Sequence, residues 1–282
     1  VHRNKGDYDN ALDYSTRSLV MQEELGDKRR IGGTLSSIGS MYINNGEYDK
    51  ALDCNSRALK MQEELGDKRG MGITLCNIGL VYLNKGDYDK ALDYNSRALK
   101  MQEEIGDKSA MGSSLNNIGS VYLNKGNYDK ALDYYDRSLV IREDMGDKRE
   151  MGACLNNIGC VYFKKGDYES AEEYLDKSLS LEKEIGLDAD YLISPTTFLY
   201  LTYKNLGKEY NVEEIHTLIK ETEQLGYKLN YALFQLLEDS SYLETAYNQV
   251  KEEASAMDEE LAKKFLSYPI PKAIVEEWEK VK

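Results

Sequence analysis

Proline is scarce in this chain of 282 residues: there are three, Pro195, Pro269 and Pro271, all after Asp190. Nothing before them interrupts a helix by fixing φ or removing a backbone donor. Histidine is reduced to His2 and His216, far apart in the chain. No Ser/His/Asp set, H-E-x-x-H motif or glycine-rich phosphate loop accompanies them, so no catalytic residue is expected. His216 stands apart in sequence from any cysteine, which speaks against a metal role. The four cysteines, Cys54, Cys76, Cys154 and Cys160, form no C-x-x-C pair, so neither metal ligands nor a redox motif is expected, and no cofactor. Small buried thiols in a reducing compartment are the better account, and a cytoplasmic location follows. No apolar run approaches the roughly 20 residues of a membrane span, and no signal peptide is visible.

Basic residues are outnumbered, 36 against 50 acidic ones, and the formal net charge is −14. Nucleic acid, which needs Lys and Arg to displace counterions, is excluded as a partner, and so is an anionic membrane surface. Two readings of the charge stay open: a solvated exterior that keeps the chain soluble, or a field that steers a basic partner. Among aromatics, tyrosine supplies 23 residues against four Phe and one Trp.

What is abundant is self-similarity. The block from Met111 to Glu150 recurs with a 40-residue period as 31–70, 71–110 and 151–190, and 1–30 is the back part of one more copy. Such periods mark arrays of one stacked supersecondary unit. In the third full copy Leu115, Ile118, Gly119, Tyr122 and Leu123 form one helical stripe, and Tyr128, Ala131, Leu132, Tyr135, Ser138 and Leu139 form a second. Between them lies Asn124-Lys125-Gly126-Asn127, a turn whose glycine ends one helix and whose Asn127 caps the next. Gly146 ends the second helix and Asp147 is placed to cap the following one. There is no alternating strand pattern. The expected fold class is all-α, a stack of antiparallel helix hairpins. Because the chain starts without Met and inside a repeat, the expectation is an excised domain or a shortened upstream part.

These residues resemble the tetratricopeptide repeat, whose pattern appears as Leu75, Ile78-Gly79, Tyr82, Gly86, Ala91 and Ala98. Gly79 and its equivalents Gly39, Gly119 and Gly159 would let paired helices approach closely. The 40-residue form with Leu-Asn-Asn-Ile and Gly-Asp-Lys looks like kinesin light chain and Pins-type adaptors. The resemblance implies a right-handed α-solenoid whose first helices line a concave groove for a protein or peptide partner. About eleven helices are expected between Asp7 and Gly226.

A stripe beside the packing stripe reads Gly33, Ser37, Ser40, Asn44, then Ile73, Asn77, Leu80, Asn84, then Ser113, Asn117, Ser120, Asn124, then Ala153, Asn157, Cys160, Lys164. Carboxamides offer donors and an acceptor, and an extended peptide has backbone groups to pair. Asn77, Asn117 and Asn157, one per repeat, would therefore grip a backbone, with Asn116 and Asn156 beside them. Ser37 breaks the ladder in the first full copy. The competing reading is that these Asn bridge neighbouring hairpins, and that Asn44, Asn84 and Asn124 are turn formers. Arg17, Arg57, Arg97, Arg137 and Lys177 recur on the second helices. They read as partners of acidic residues one turn away or, alternatively, as a clamp for a ligand carboxylate.

After Asp190 the pattern degenerates. Over 191–230 Tyr200 takes the glycine position, and Phe198 and Leu201 replace small groove residues, making an apolar end wall or an anchor pocket. Pro195 suits the first turn of that helix. Residues 231–282 read as a cap of three helices, Tyr242–Ala256, Asp258–Ser267 and Lys272–Lys282, with Pro269 to Pro271 as a break. This last segment resembles the end of prokaryotic signalling arrays attached to an ATPase, kinase or cyclase. The function expected is a binding scaffold. The alternative is a sensor or autoinhibitory arm whose partner is an upstream domain of the same protein.

Overall fold

The computed structural model describes residues 5–222 and 224–281, with side chains from residue 10 onward. His2 and Lys282 lie outside the described residues. Two compact units divide the chain, residues 1–121 and 122–282. Among the described residues every regular element is a helix.

The first unit holds α1 (Lys5–Leu25), α2 (Lys28–Asn44), α3 (Tyr48–Leu65), α4 (Lys68–Asn84), α5 (Tyr88–Ile105) and most of α6 (Lys108–Asn124). Each first helix begins where an aspartate side chain accepts an orphan backbone N–H: Asp27 from Arg30, Asp67 from Gly70 and Asp107 from Ala110. Such a cap is worth about 0.5–2 kcal/mol. The second helices stop at glycines such as Gly66, whose φ of +64° no β-carbon would favour and whose N–H closes onto the last turn. With only two or three residues between helices, neighbours are antiparallel, and α2 packs on α3, α3 on α4 and α4 on α5.

The expected close approach is present. A β-carbon on Gly39 would stand 2.7 Å from Cγ of Asn55, and one on Gly79 would stand 2.6 Å from Cγ of Asn95. Leu35, Ile38, Leu75, Ile78, Ala51, Ala58, Ala91 and Ala98 are buried along the paired faces. Tyr82 stacks on Tyr94 with ring centroids 5.5 Å apart.

The second unit continues through α7 (Tyr128–Met145), α8 (Lys148–Lys165), α9 (Tyr168–Glu184), α10 (Ala189–Leu206), α11 (Val212–Glu221), α12 (Tyr227–Leu237), α13 (Ser240–Ser255), α14 (Glu259–Ser267) and α15 (Pro269–Val281). Asn127 and Asp147 cap α7 and α8 as expected. The Gly159 contact is with Leu175, whose Cγ would lie 2.6 Å from an added β-carbon. A large core joins Ala171, Leu175, Leu199, Tyr200, Ile215, Leu233 and Leu236.

Two proline readings need correction. Pro195 sits inside α10, not in its first turn. Ala189 and Ile193 bury themselves against Leu218, so the helix gains more than a turn ahead of the proline, and the Tyr191 carbonyl forgoes its intrahelical donor. Pro269 and Pro271 open α15 instead of separating it from α14. The break is Tyr268 alone, at φ −70° and ψ 153°, because first-turn N–H groups have no intrahelical partner to lose. The expected edge of the cap at residue 231 falls within α12.

Candidate functional site

In the first unit the polar stripe of the first helices is tied into the fold. Asn77 on α4 donates from Nδ2 to Ser40 Oγ at 3.0 Å and to Ser36 Oγ at 3.3 Å, both on α2. Thr74, on the same face, donates to Ser36 at 3.1 Å. Asn117 on α6 donates to Asn95 Oδ1 at 3.2 Å and to Cys76 Sγ at 3.4 Å. These amides are half-buried and spend their donors on the preceding hairpin. Their Oδ1 acceptors have no partner among the described residues. The expectation that each amide offers both kinds of hydrogen bond is therefore corrected: Asn77 and Asn117 present acceptors.

Around them Ser37 is exposed, with its hydroxyl turned to the Gly33 carbonyl of its own helix at 3.1 Å. Asn84 is exposed and Asn116 half-buried. Ile73 is exposed, while Leu80 packs beside Ile43, Ala51 and Val81.

In the second unit Asn156 donates to Ser194 Oγ at 3.3 Å, joining α8 to α10, and Asn157 is half-buried. Phe198 meets Phe163 edge-on at 5.7 Å. Nζ of Lys164 lies over both rings, 5.7 Å from Phe163 and 5.9 Å from Phe198. Leu201, expected beside Phe198, is 2 % exposed and belongs to the core. One added residue in the degenerate repeat turns that position inward, so it offers a ligand no surface. Asn124 is likewise buried, at 7 %, and in the same turn the ring of Pro269 stands against Gly126.

The periodic cations form the intrahelical pairs the sequence suggested: Arg17 with Asp13, Arg57 with Asp53, Arg97 with Asp93, Arg137 with Asp133 and Lys177 with Glu173. Arg97 and Arg137 also lie over Tyr94 and Tyr134. The free thiols of Cys54, Cys154 and Cys160 are buried, and burial pushes that of Cys160 up to about 12, far from a reactive thiolate. Among the described residues no group of three His, Cys, Asp or Glu side chains could hold a metal ion, and no helix is long and apolar enough to cross a membrane.

Sequence reasoning missed the buried amides Asn55 and Asn95 and the buried carboxyl Glu182. The available signal was a polar residue recurring on a packing stripe. Asn55 and Asn95 share their repeat position with Tyr135 and Leu175, and Gln62 and Gln102 share theirs with Glu182.

A family model described as tetratricopeptide repeat matches residues 30–104 and 110–184, more than half of the chain. The chain belongs to the tetratricopeptide repeat family. No curated protein sequence matches it. Solved structures share the tetratricopeptide fold at low identity. BtubC (BKLC) from P. vanneervenii is 18 % identical with a TM-score of 0.62, over 76 % of this chain and 88 % of that one. A Rap protein complexed with competence and sporulation factor is 16 % identical with a TM-score of 0.60, over 100 % and 90 %. A signal transduction ATPase with numerous domains, carrying a tetratricopeptide repeat sensor, from Pyrococcus horikoshii is 19 % identical with a TM-score of 0.60. That match covers 95 % of this chain and 39 % of the ATPase.

Proposed function

We propose that this tetratricopeptide chain is a non-catalytic binding scaffold whose first helices hold an extended peptide or a partner helix, in a cytoplasmic setting. The observation that carries the reading is the pair of half-buried amide oxygens, on Asn77 and Asn117, left without a partner on the first-helix face of the first unit. A half-buried acceptor gains from an N–H, and an extended backbone supplies one every second residue on a given side. Ser113 and Ser120 leave room for a chain to approach, and Ile73, Leu80 and Asn84 would border it. In the second unit Asn156, Asn157 and Phe198 would meet the same kind of ligand. Because backbone contacts do not read side chains, the amides would grip and the apolar neighbours would select.

The test uses peptides selected from a random display library on the purified chain, followed by calorimetry. Asn77→Ala and Asn117→Ala should each weaken binding by about 1–3 kcal/mol, measured on the folded fraction defined by circular dichroism. Unchanged affinity of that fraction would make both residues purely structural bridges and end the reading of the ladder.

A second reading is favoured by the likeness to the sensor-bearing ATPase: the chain as a sensor arm of a larger signalling protein, with an intramolecular domain as partner. The full-length protein would then change its activity on peptide binding, whereas an adaptor would only recruit.

A further inference from the structure

Lys164 departs from its surroundings in charge pairing. Every other lysine on α8 and α9 has a carboxylate: Lys148 has Glu184 at 2.6 Å, Lys165 has Asp129 at 2.7 Å, Lys177 has Glu173 at 2.6 Å and Lys183 has Glu214 at 3.0 Å. Lys164 has none among the described residues, in a chain of 50 acidic side chains. Its three donors are unused, and its ammonium rests over Phe163 and Phe198. Burial pushes it below the ordinary lysine range, and the only titratable neighbour acting on it is the buried thiol of Cys160.

The position is also new within the array. Lys164 ends the stripe where earlier copies carry Asn44, Asn84 and Asn124, and Phe198 stands where they carry small or amide residues. An ammonium on aromatic faces is held by roughly 0.5–2 kcal/mol, which does not replace the charge-assisted hydrogen bonds a carboxylate would give. The rings exclude water from one side and so strengthen any such bond.

We propose that Lys164, flanked by Phe163 and Phe198, binds a carboxylate of a peptide ligand next to an apolar residue that packs on the two rings. This rests on the peptide-binding reading above and names the ligand class within it. The carboxylate has two sources, an Asp or Glu side chain or a free C-terminus, with the same chemistry at the ammonium.

Four pools of random nonapeptides separate these sources: with and without Asp and Glu, each with a free or an amidated C-terminus. The purified 282-residue chain is incubated with each pool at physiological salt, where charges more than about 8 Å away are screened. Retained peptides are counted by mass spectrometry. The wild type should retain carboxylate-bearing pools roughly tenfold or more over the amidated pool lacking Asp and Glu. Lys164→Met should lose that preference and Lys164→Arg should keep it, with helix content checked for each. Acidic amidated peptides against non-acidic free ones assigns the source. Equal retention of all four pools, or an unchanged preference in Lys164→Met, overturns the carboxylate site while leaving the groove reading in place. If the wild type retains no pool at all, both fall. If Lys164→Met fails to fold, Lys164→Gln is measured in its place against the same criteria.

Discussion

Asn117 on α6 donates to the side-chain oxygen of Asn95 on α5 across 3.2 Å. Asn95 is fully buried, its own Nδ2 donates to the Ala91 carbonyl at 2.8 Å, and it occupies the space that the missing side chain of Gly79 leaves open. A glycine on one helix, an amide on the next and a ladder amide on the third thus form one connected contact. Asn55, the same position one repeat earlier, also donates to its helix at 2.8 Å. Its Oδ1 is buried with no hydrogen-bond partner, because Asn77 turns to Ser36 and Ser40 instead.

That difference separates two substitutions of the same kind. Asn95→Leu should strand the donors of Asn117 and cost about 1–3 kcal/mol. Asn55→Leu introduces the residue that already packs against glycine at Leu175. It should be neutral or stabilising by about 1 kcal/mol, since an unsatisfied buried acceptor disappears. Urea unfolding of both variants checks the contrast, and equal losses would count against this account of the network.

Glycines on the first helices should respond according to what faces them. A side chain at Gly79 overlaps the Asn95 amide, so Gly79→Leu should cost on the order of 1–3 kcal/mol or more. At Gly33 an added β-carbon meets nothing within 4 Å, and Gly33→Ala should stabilise α2 by about 0.5–1 kcal/mol. Coupling in a repeat array is nearest-neighbour, so hydrogen exchange should show the Gly79 damage concentrated in α3–α6. A uniform loss of protection over the chain would contradict the linear picture.

Most of the hairpin framework was legible because it is written in local chemistry repeated five times: the Asp caps, the glycine stops and the 3.6-residue stripes each decide a conformation within a few residues. The amides of the ladder were legible as a periodic feature but not in their bonding. Whether Asn77 faces serines and Asn117 faces another amide depends on partners 37 to 41 or 22 residues away, which no local pattern encodes. The same holds for Leu201. Its apolar character reads equally as groove wall or core, and the packing of α10 against α9 and α12 decides for the core. Pro195 misled because tertiary burial of Ala189 and Ile193 outweighs the cost of a proline within a helix.

Glu182 gives a prediction about pH. It is 4 % exposed, accepts from Ser178 Oγ at 3.3 Å, and its Oε2 has no partner. Burial raises its pKa from 4.5 to about 7, with the Ser178 hydrogen bond acting in the opposite direction. The folded state therefore binds this proton more tightly than the unfolded chain does. Below about pH 4.5 the group is protonated in both states and imposes no penalty. As pH rises from there towards 7 the unfolded state loses its proton first, and stability falls; above about 7 the full penalty is present, on the order of a few kcal/mol. Glu182→Gln restores the residue that Gln62 and Gln102 supply in sister repeats and removes the titration. The variant should be more stable than wild type at pH 8 and show little gain at pH 4.5, so the difference between the two should grow with pH across that window. Unfolding midpoints in urea at pH 4.5, 6, 7 and 8 measure it. A constant difference between the two proteins at all four values would mean that Glu182 keeps an ordinary pKa in the fold, and that its buried oxygen is served by water instead of by a proton.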